Sequence, residues 1–112
     1  MRIVGLPEPI LTTRGEFGDG LAELVAAKLA TIARHAHEPV LDIRVELDRH
    51  TDPAVPRPVG ARADVNVNGR HVHAAATART ARDAMDVLVT RLVRQMDDRP
   101  HAHRRRRTRR PT

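Results

Sequence analysis

Two kinds of side chain in this sequence could do chemistry: a block of arginines near the C-terminus and three closely spaced pairs of histidines. The arginine block, HAHRRRRTRR at residues 101–110, could bind the phosphates of a nucleic acid. A His-x-His pair on a strand could supply two imidazole ligands to a metal ion, because alternate side chains project from the same face. The pairs are His35/His37, His71/His73 and His101/His103.

A metal site at His71 and His73 would need a third ligand from a neighbouring strand, and Asp64 and Asp42 are the candidates. The alternative interpretation is that both histidines are ordinary polar residues on the solvent-exposed face of a sheet. We favour this second interpretation and predict no metal ion and no other cofactor. In that setting His71, His73 and the adjacent Arg70 could contact RNA or a protein.

Catalysis finds little support in the sequence. The chain has no Ser and no Cys, and it contains neither a P-loop nor a GxGxxG motif. Three acidic residues, Asp42, Glu46 and Asp64, could lie close together on a sheet, but Arg44 and Arg62 are interleaved with them. Cross-strand charge pairing explains that pattern better than acid–base catalysis. We therefore predict a binding protein without a small-molecule substrate.

The positive charge is concentrated at one end of the chain. The net charge is +6, but residues 99–112 contain seven arginines and no acidic residue. The remainder, residues 1–98, contains thirteen basic and fourteen acidic residues. We predict a folded domain over residues 1–98 and call residues 99–112 the arginine segment. A block of like charges is typically disordered, so we expect this segment to be a disordered tail or the start of a linker.

Other features narrow the class of protein. Phe17 is the only aromatic residue, so no platform for stacking unpaired bases is available, and any RNA would be recognised through phosphates, 2′-hydroxyls and shape. The chain has no apolar stretch long enough for a signal peptide or a membrane span. We therefore expect a cytoplasmic protein with no membrane partner.

Hydrophobic periodicity predicts the element order β-α-β-β-β-α. Helical spacing of Leu21, Leu24, Val25, Leu29 and Ile32 predicts the first helix, with Asp19 as its N-cap. The predicted elements are a short strand at 2–5, a turn-rich stretch to residue 20, a helix at 20–35, a strand at 40–48, a proline-rich loop at 50–60, a strand through residue 67, an Asn68-Gly69 turn, a returning strand to residue 78, and a helix at 80–97 that ends before Pro100.

The three long strands each have one apolar and one polar face; in the first of them Leu41, Ile43, Val45 and Leu47 form the apolar face. The two helices each carry one apolar stripe, which can be buried only against the apolar side of the sheet. The sequence therefore predicts an α+β fold, a two-layer sandwich with an antiparallel-rich sheet and both helices on one face.

Over roughly residues 2–98 the sequence resembles a known family, the ribosome hibernation-promoting factor / ribosome-associated inhibitor family; the C-terminal half matches in its motifs and the N-terminal half mainly in its pattern. The resemblance lies in VNGRHVHA, a hairpin whose Asn-Gly turn leads into a V-H-A strand, and in the following helix with its DAMD and RLVRQM stretches. These motifs run without a gap from the hairpin into the helix. The matching helix positions are Ala84, Met85, Asp86, Arg91, Leu92, Arg94, Gln95 and Met96.

This resemblance implies a fold like that of a double-stranded-RNA-binding domain. It also implies binding to the decoding region of the small ribosomal subunit and its ribosomal RNA, where the protein would block the mRNA and tRNA sites in stressed or stationary cells. Basic side chains on the two helices would face the RNA. Carried over by position, these are Lys28, Arg91 and Arg94, followed by Arg34.

We extend the predicted RNA-binding set to Arg79 and Arg82 on the second helix and to Arg104, Arg105, Arg106 and Arg107 in the arginine segment. The chain departs from the family pattern at Thr80 and Arg82, in its arginine segment, and in its longer, proline-rich 50–60 loop. Two alternatives remain open. One is a protein-interaction module that forms a homodimer through the uncovered sheet face, and the other is a generic RNA binder that acts through the arginine segment alone.

Overall fold

The computed structural model describes the backbone of residues 6–109 and the side chains of residues 6–97. The strand predicted at residues 2–5 therefore lies outside the described residues. Within them the elements are β1 (Ile10–Arg14), α1 (Leu21–His35), β2 (Val40–Arg49), β3 (Val59–Val67), β4 (Arg70–Ala78) and α2 (Ala81–Arg109).

The strands form one mixed sheet in the order β1-β2-β3-β4. Strand β1 pairs with β2 in parallel, with α1 as the crossover between them, while β2–β3 and β3–β4 are antiparallel. The predicted α+β class and the β-α-β-β-β-α order are confirmed. The likeness to a double-stranded-RNA-binding domain stays a prediction.

The core lies between the sheet and the two helices. Its fully buried side chains include Leu29 and Ile32 from α1, Ile43 from β2, and Met85 and Leu88 from α2. Among the residues whose side chains are described, no polar or charged residue is buried. Alternating strand positions point into this layer, so the opposite face of the sheet, the open sheet face, carries the polar side chains.

Strand β1 was predicted wrongly as part of a turn-rich stretch. Residues 10–14 pair along their whole length with β2, from Ile10 opposite Arg44 to Arg14 opposite Asp48. The strand lies at the edge of the sheet, and only Leu11 is partly buried. A strand that buries one side chain shows no alternation, so its sequence gives no strand signal.

Leu41 was wrongly assigned to the apolar face of β2. The β2–β3 register shifts between Val40 and Asp42, and this irregularity turns Leu41 outwards, where it is 55% exposed. Val40 is buried in its place. A bulge adds one residue to a strand and reverses the alternation on one side of it, which a strict period of two cannot anticipate.

The start of α1 and the end of α2 also differ from the prediction. The N-cap of α1 is Gly20 in the left-handed conformation, with a φ of 84° and no side-chain cap, rather than Asp19. Helix α2 continues past Pro100 to Arg109 instead of ending before the proline. Proline removes one backbone donor, but most of the residues that follow are arginines, which favour a helix. Whether a domain boundary lies at residue 98 stays a prediction.

Candidate nucleic-acid interface

The two helices lie side by side and leave a groove of about 760 Å³ on the outer surface of the domain. We call it the interhelix groove. Helix α1 contributes Lys28 to it, and the first turn of α2 contributes Arg82, so the structure brings two of the predicted RNA-binding residues together. The other lining residues are Gly20, Glu23, Leu24, Ala27, Thr31, His35, Asp86, Val89, Thr90 and Val93.

Lys28 is partly committed to the fold. Its Nζ lies 2.6 Å from Oδ1 of Asp86, and the pair joins α1 to α2 across the groove. The Lys28 side chain keeps 25% of its surface exposed, and that of Asp86 keeps 51%. With Glu23 also in the lining, the acidic charges of the groove balance Lys28 and Arg82. The groove is therefore polar but not strongly positive, and additional cations must come from its surroundings.

Three further predicted RNA-binding arginines are exposed but do not line the interhelix groove. Arg34 in the last turn of α1 donates to Oγ1 of Thr31 at 3.3 Å. Arg79, between β4 and α2, and Arg94, on α2, are exposed, and neither has a hydrogen bond or ion pair within residues 6–97. Freely hydrated guanidinium groups can turn towards a phosphate without first breaking an intramolecular bond.

Arg91 has a contact that the sequence did not predict. Its Nη1 donates to the carbonyl of Ala75 at 2.5 Å, and one turn later Nε2 of Gln95 donates to the carbonyl of His73. Both carbonyls belong to β4, whose other side pairs with β3. Arg91 and Gln95 therefore cover part of the free edge of the sheet, which would otherwise offer unpaired backbone groups to another chain. Arg91 as an RNA contact stays a prediction.

The open sheet face holds charges that pair with one another. Arg62 lies 2.8 Å from Glu46, and Arg44 lies 3.3 Å from Asp42. Cross-strand pairing of these charges, predicted in place of acid–base catalysis, is seen for Arg62 and Glu46 on β3 and β2. The open sheet face is therefore electrostatically self-satisfied and offers little attraction to a polyanion.

His71 and His73 share one partner on the open sheet face. Their Nδ1 atoms lie 3.0 and 2.9 Å from the two carboxylate oxygens of Asp64, and the rings stack with centroids 6.1 Å apart. The Asp64 carboxylate thus faces both imidazole rings, with His71 at hydrogen-bond distance and His73 at ion-pair distance. Within the described part of the chain, no group of three His, Asp or Glu residues has an arrangement that could hold a metal ion.

The predicted set is therefore divided between two sides of the molecule. Lys28, Arg34, Arg82 and Arg94 lie on the helical side, whereas His71 and His73 lie on the opposite, open side of the sheet. Arg70, at the start of β4, has its Nη2 3.6 Å from Glu38. The side chains of Arg104, Arg105, Arg106 and Arg107 lie outside the described residues. The contacts of Asp86 with Lys28 and of Gln95 with β4 were not predicted, because they depend on neighbours distant in the sequence.

The single aromatic residue packs within the fold. Phe17 is half-buried, and the guanidinium of Arg49 lies 4.8 Å from the centre of its ring. Arg49 also donates to the carbonyl of Glu16 at 2.8 Å. This ring holds the loop after β1 against β2 and is covered on one side.

No helix in the described part of the chain is both long and apolar enough to cross a membrane.

Comparison with protein families gives one match that spans most of the chain. The model of the family described as "Sigma 54 modulation protein / S30EA ribosomal protein" matches residues 11–105. This range includes α1, all four strands except Ile10, α2 as far as residue 105, and the first seven residues of the arginine segment. No curated protein sequence matches the chain.

Solved structures share the fold. The N-terminal domain of Protein Y from Thermus thermophilus is similar with a TM-score of 0.65 and 24% identity, and the alignment covers 79% of this chain and 94% of that one. A ribosomal subunit interface protein from Coxiella burnetii is similar with a TM-score of 0.65 and 17% identity, covering 82% of this chain and 96% of that one. At these identities the likeness establishes the architecture.

Proposed function

Because this chain belongs to the Sigma 54 modulation protein / S30EA ribosomal protein family, we propose that it binds the small ribosomal subunit near the decoding region and inhibits translation. The mechanism is steric: a folded domain that occupies the path of mRNA and tRNA prevents both from binding. The family consists of ribosome-associated binding proteins rather than enzymes, which agrees with the prediction of a non-catalytic protein. Its place of action is with the ribosomes in the cytoplasm.

The observation that carries this proposal is the family match over residues 11–105. The distribution of charge supports the helical side as the contact surface. Arg82 and Arg94 are exposed there without partners among the described residues, whereas Arg44 and Arg62 on the open sheet face are paired with acids. Ribosomal RNA would meet hydrated arginines on the helical side and self-paired charges on the other.

The test is co-sedimentation of the full chain with purified small ribosomal subunits at moderate salt. We expect the wild-type protein to travel with the subunit and to reduce translation in a purified system. The double variant Arg82→Gln/Arg94→Gln removes two exposed cations from the helical side and should weaken binding roughly tenfold. Arg44→Gln, on the open sheet face, is the control and should bind like the wild type.

The alternatives predict different outcomes. If the open sheet face mediates homodimerisation, Arg44→Gln changes the oligomeric state while Arg82→Gln/Arg94→Gln leaves ribosome association unchanged. If the arginine segment acts as a generic RNA binder, an unrelated RNA duplex competes as well as the subunit does. Absence of the wild-type protein from the subunit fraction would overturn the proposed function.

A further inference from the structure

Most basic side chains of the domain already have a partner. Within residues 6–97, seven of them make a hydrogen bond or an ion pair, for example Lys28 with Asp86 and Arg62 with Glu46. Five others make neither within that range, and these are the side chains most available to an external anion. They are Arg14, Arg57, Arg79, Arg82 and Arg94.

Two of these five arginines lie beside each other. Strand β3 begins at Val59, opposite Ala78 at the end of β4. Arg57 lies two residues before Val59, and Arg79 lies one residue after Ala78. Both arginines therefore lie where the pairing of β3 with β4 ends. They line a common cleft of about 500 Å³ with Val55 and Pro56. We call this the arginine cleft.

No acidic residue lines the arginine cleft. Two guanidinium groups that line one cleft repel each other, and the lining itself supplies no carboxylate to offset their charge. An anion placed between the two groups would relieve the repulsion and receive hydrogen bonds from both. Helix α2 begins at Ala81, two residues after Arg79, but its first turn carries Asp83, whose charge offsets the partial positive charge of the helix N-terminus. The positive potential of the cleft therefore comes from the two arginines themselves.

The loop that carries Arg57 is held in place before any ligand arrives. His50 N donates to the carbonyl of Pro58 at 2.8 Å, which closes the loop directly beside Arg57. Further along, Asp52 accepts from Ala54 N at 2.9 Å through its side chain and from Val55 N at 3.1 Å through its carbonyl. Prolines at 53, 56 and 58 restrict the backbone further. Preorganisation of this kind lowers the entropy lost when Arg57 binds.

We propose that Arg57 and Arg79 together clamp one phosphodiester group of the ribosomal RNA backbone. This inference rests on the proposed function and adds to it a phosphate site in the 50–58 loop, outside the two helices. Each guanidinium presents a planar fork of donors that matches two phosphate oxygens, so two arginines can surround one phosphate without any base contact. The arginine cleft therefore contributes affinity and orientation rather than sequence specificity.

The test compares the affinity of the full chain for small ribosomal subunits over a range of salt concentrations. The variants are Arg57→Gln, Arg79→Gln and the double variant. Arg14→Gln is the control, because Arg14 is also exposed and unpaired within residues 6–97 but lies on β1, at the opposite edge of the sheet. All four are surface substitutions, and thermal melts verify that each variant is folded.

If the clamp exists, each single substitution weakens binding roughly three- to tenfold and lowers the salt slope by about one, and Arg14→Gln does neither. The double variant loses less than the product of the two single losses, because both arginines hold the same phosphate. If the wild-type protein binds the subunit and Arg57→Gln binds it with the same affinity, the clamp is overturned while the proposed function stands. If the wild-type protein does not bind the subunit, the proposed function fails, and the same variants titrated with a short RNA duplex decide the clamp: reduced affinity supports it, and unchanged affinity overturns it.

Discussion

Asp86 controls how much of the charge on Lys28 reaches the surface. The two side chains meet at 2.6 Å, and both are partly exposed, so the pair is screened by water and contributes less than about 1 kcal/mol to stability. Its larger effect is on the potential of the interhelix groove, because the carboxylate neutralises a lysine that the family resemblance places against RNA. We therefore expect Asp86, which joins the two helices, to lower the affinity for a polyanion.

Replacing Asp86 with Asn should release Lys28 and increase affinity for small ribosomal subunits. We expect a gain of roughly two- to fivefold and a salt slope steeper by about one, since one more cation can neutralise a phosphate. Asp97→Asn is the matched control, because it removes the same charge from an exposed position of α2 without releasing a lysine. An equal gain in both variants would show that net charge, and not Lys28, determines the affinity. Binding isotherms at several salt concentrations provide the measurement.

At the level of elements, α2 has two functions. Its buried stripe, including Met85, Leu88 and Leu92, packs on the sheet. Its side chains Arg91 and Gln95, one turn apart, donate to alternate carbonyls of β4. Four residues along the helix and two residues along the strand span similar distances, so the two donors reach successive carbonyls on the same side of β4. This arrangement covers the edge without an additional strand.

Removing these donors should destabilise the domain and expose the β4 edge. We expect Arg91→Met and Gln95→Met each to lower the free energy of unfolding by about 0.5–1.5 kcal/mol, the usual net value of such a hydrogen bond. The double variant should also self-associate more readily. Denaturant unfolding and light scattering provide the measurements. Arg94→Met, on the same helix but without a described partner, should leave both the free energy of unfolding and self-association unchanged.

The same pair of variants separates the two roles of Arg91. If Arg91 only covers the strand edge, Arg91→Met and Gln95→Met reduce ribosome binding to the same small extent, through stability. A selective loss of binding in Arg91→Met at matched stability would indicate that its charge also meets RNA.

At the scale of the whole molecule, the charge is divided unequally between the folded domain and the arginine segment. Residues 1–98 carry one net negative charge, while the arginine segment carries seven arginines and no acid. The net charge of the folded domain therefore does not attract RNA, and we expect its affinity to depend on the placement of individual arginines. We expect the arginine segment to supply the long-range attraction; the family match reaches into it as far as residue 105.

Replacing Arg104, Arg105, Arg106 and Arg107 with Gln in the full chain should weaken binding most at low salt. Each arginine that neutralises a phosphate contributes about 0.9 to the slope of log affinity against log salt for duplex DNA, and a similar value is expected for folded RNA. We expect a clearly flatter slope but continued preference for the subunit over an unrelated RNA duplex. An unchanged slope would mean that the segment does not contact RNA, and loss of the preference would mean that the segment alone carries binding.

The sequence by itself determined the features that depend on local repetition. Alternating residues in β2, β3 and β4, the Asn68-Gly69 turn, and the helical stripes of α1 and α2 predict these elements and the two-layer arrangement. Regular burial imposes a regular pattern, so a pattern that persists over several turns or strand residues is informative without a partner.

The tertiary structure decided what depends on a neighbour elsewhere in the chain. Strand β1 buries one side chain and exists by pairing with β2, and Leu41 turns outwards because the β2–β3 register shifts beside it. The pairing of Lys28 with Asp86 and the proximity of Arg57 to Arg79 likewise join residues that no spacing rule connects. Which arginines are free to bind an anion is a property of these contacts, because a charge that is paired in the fold and one that is hydrated at the surface have the same letter in the sequence.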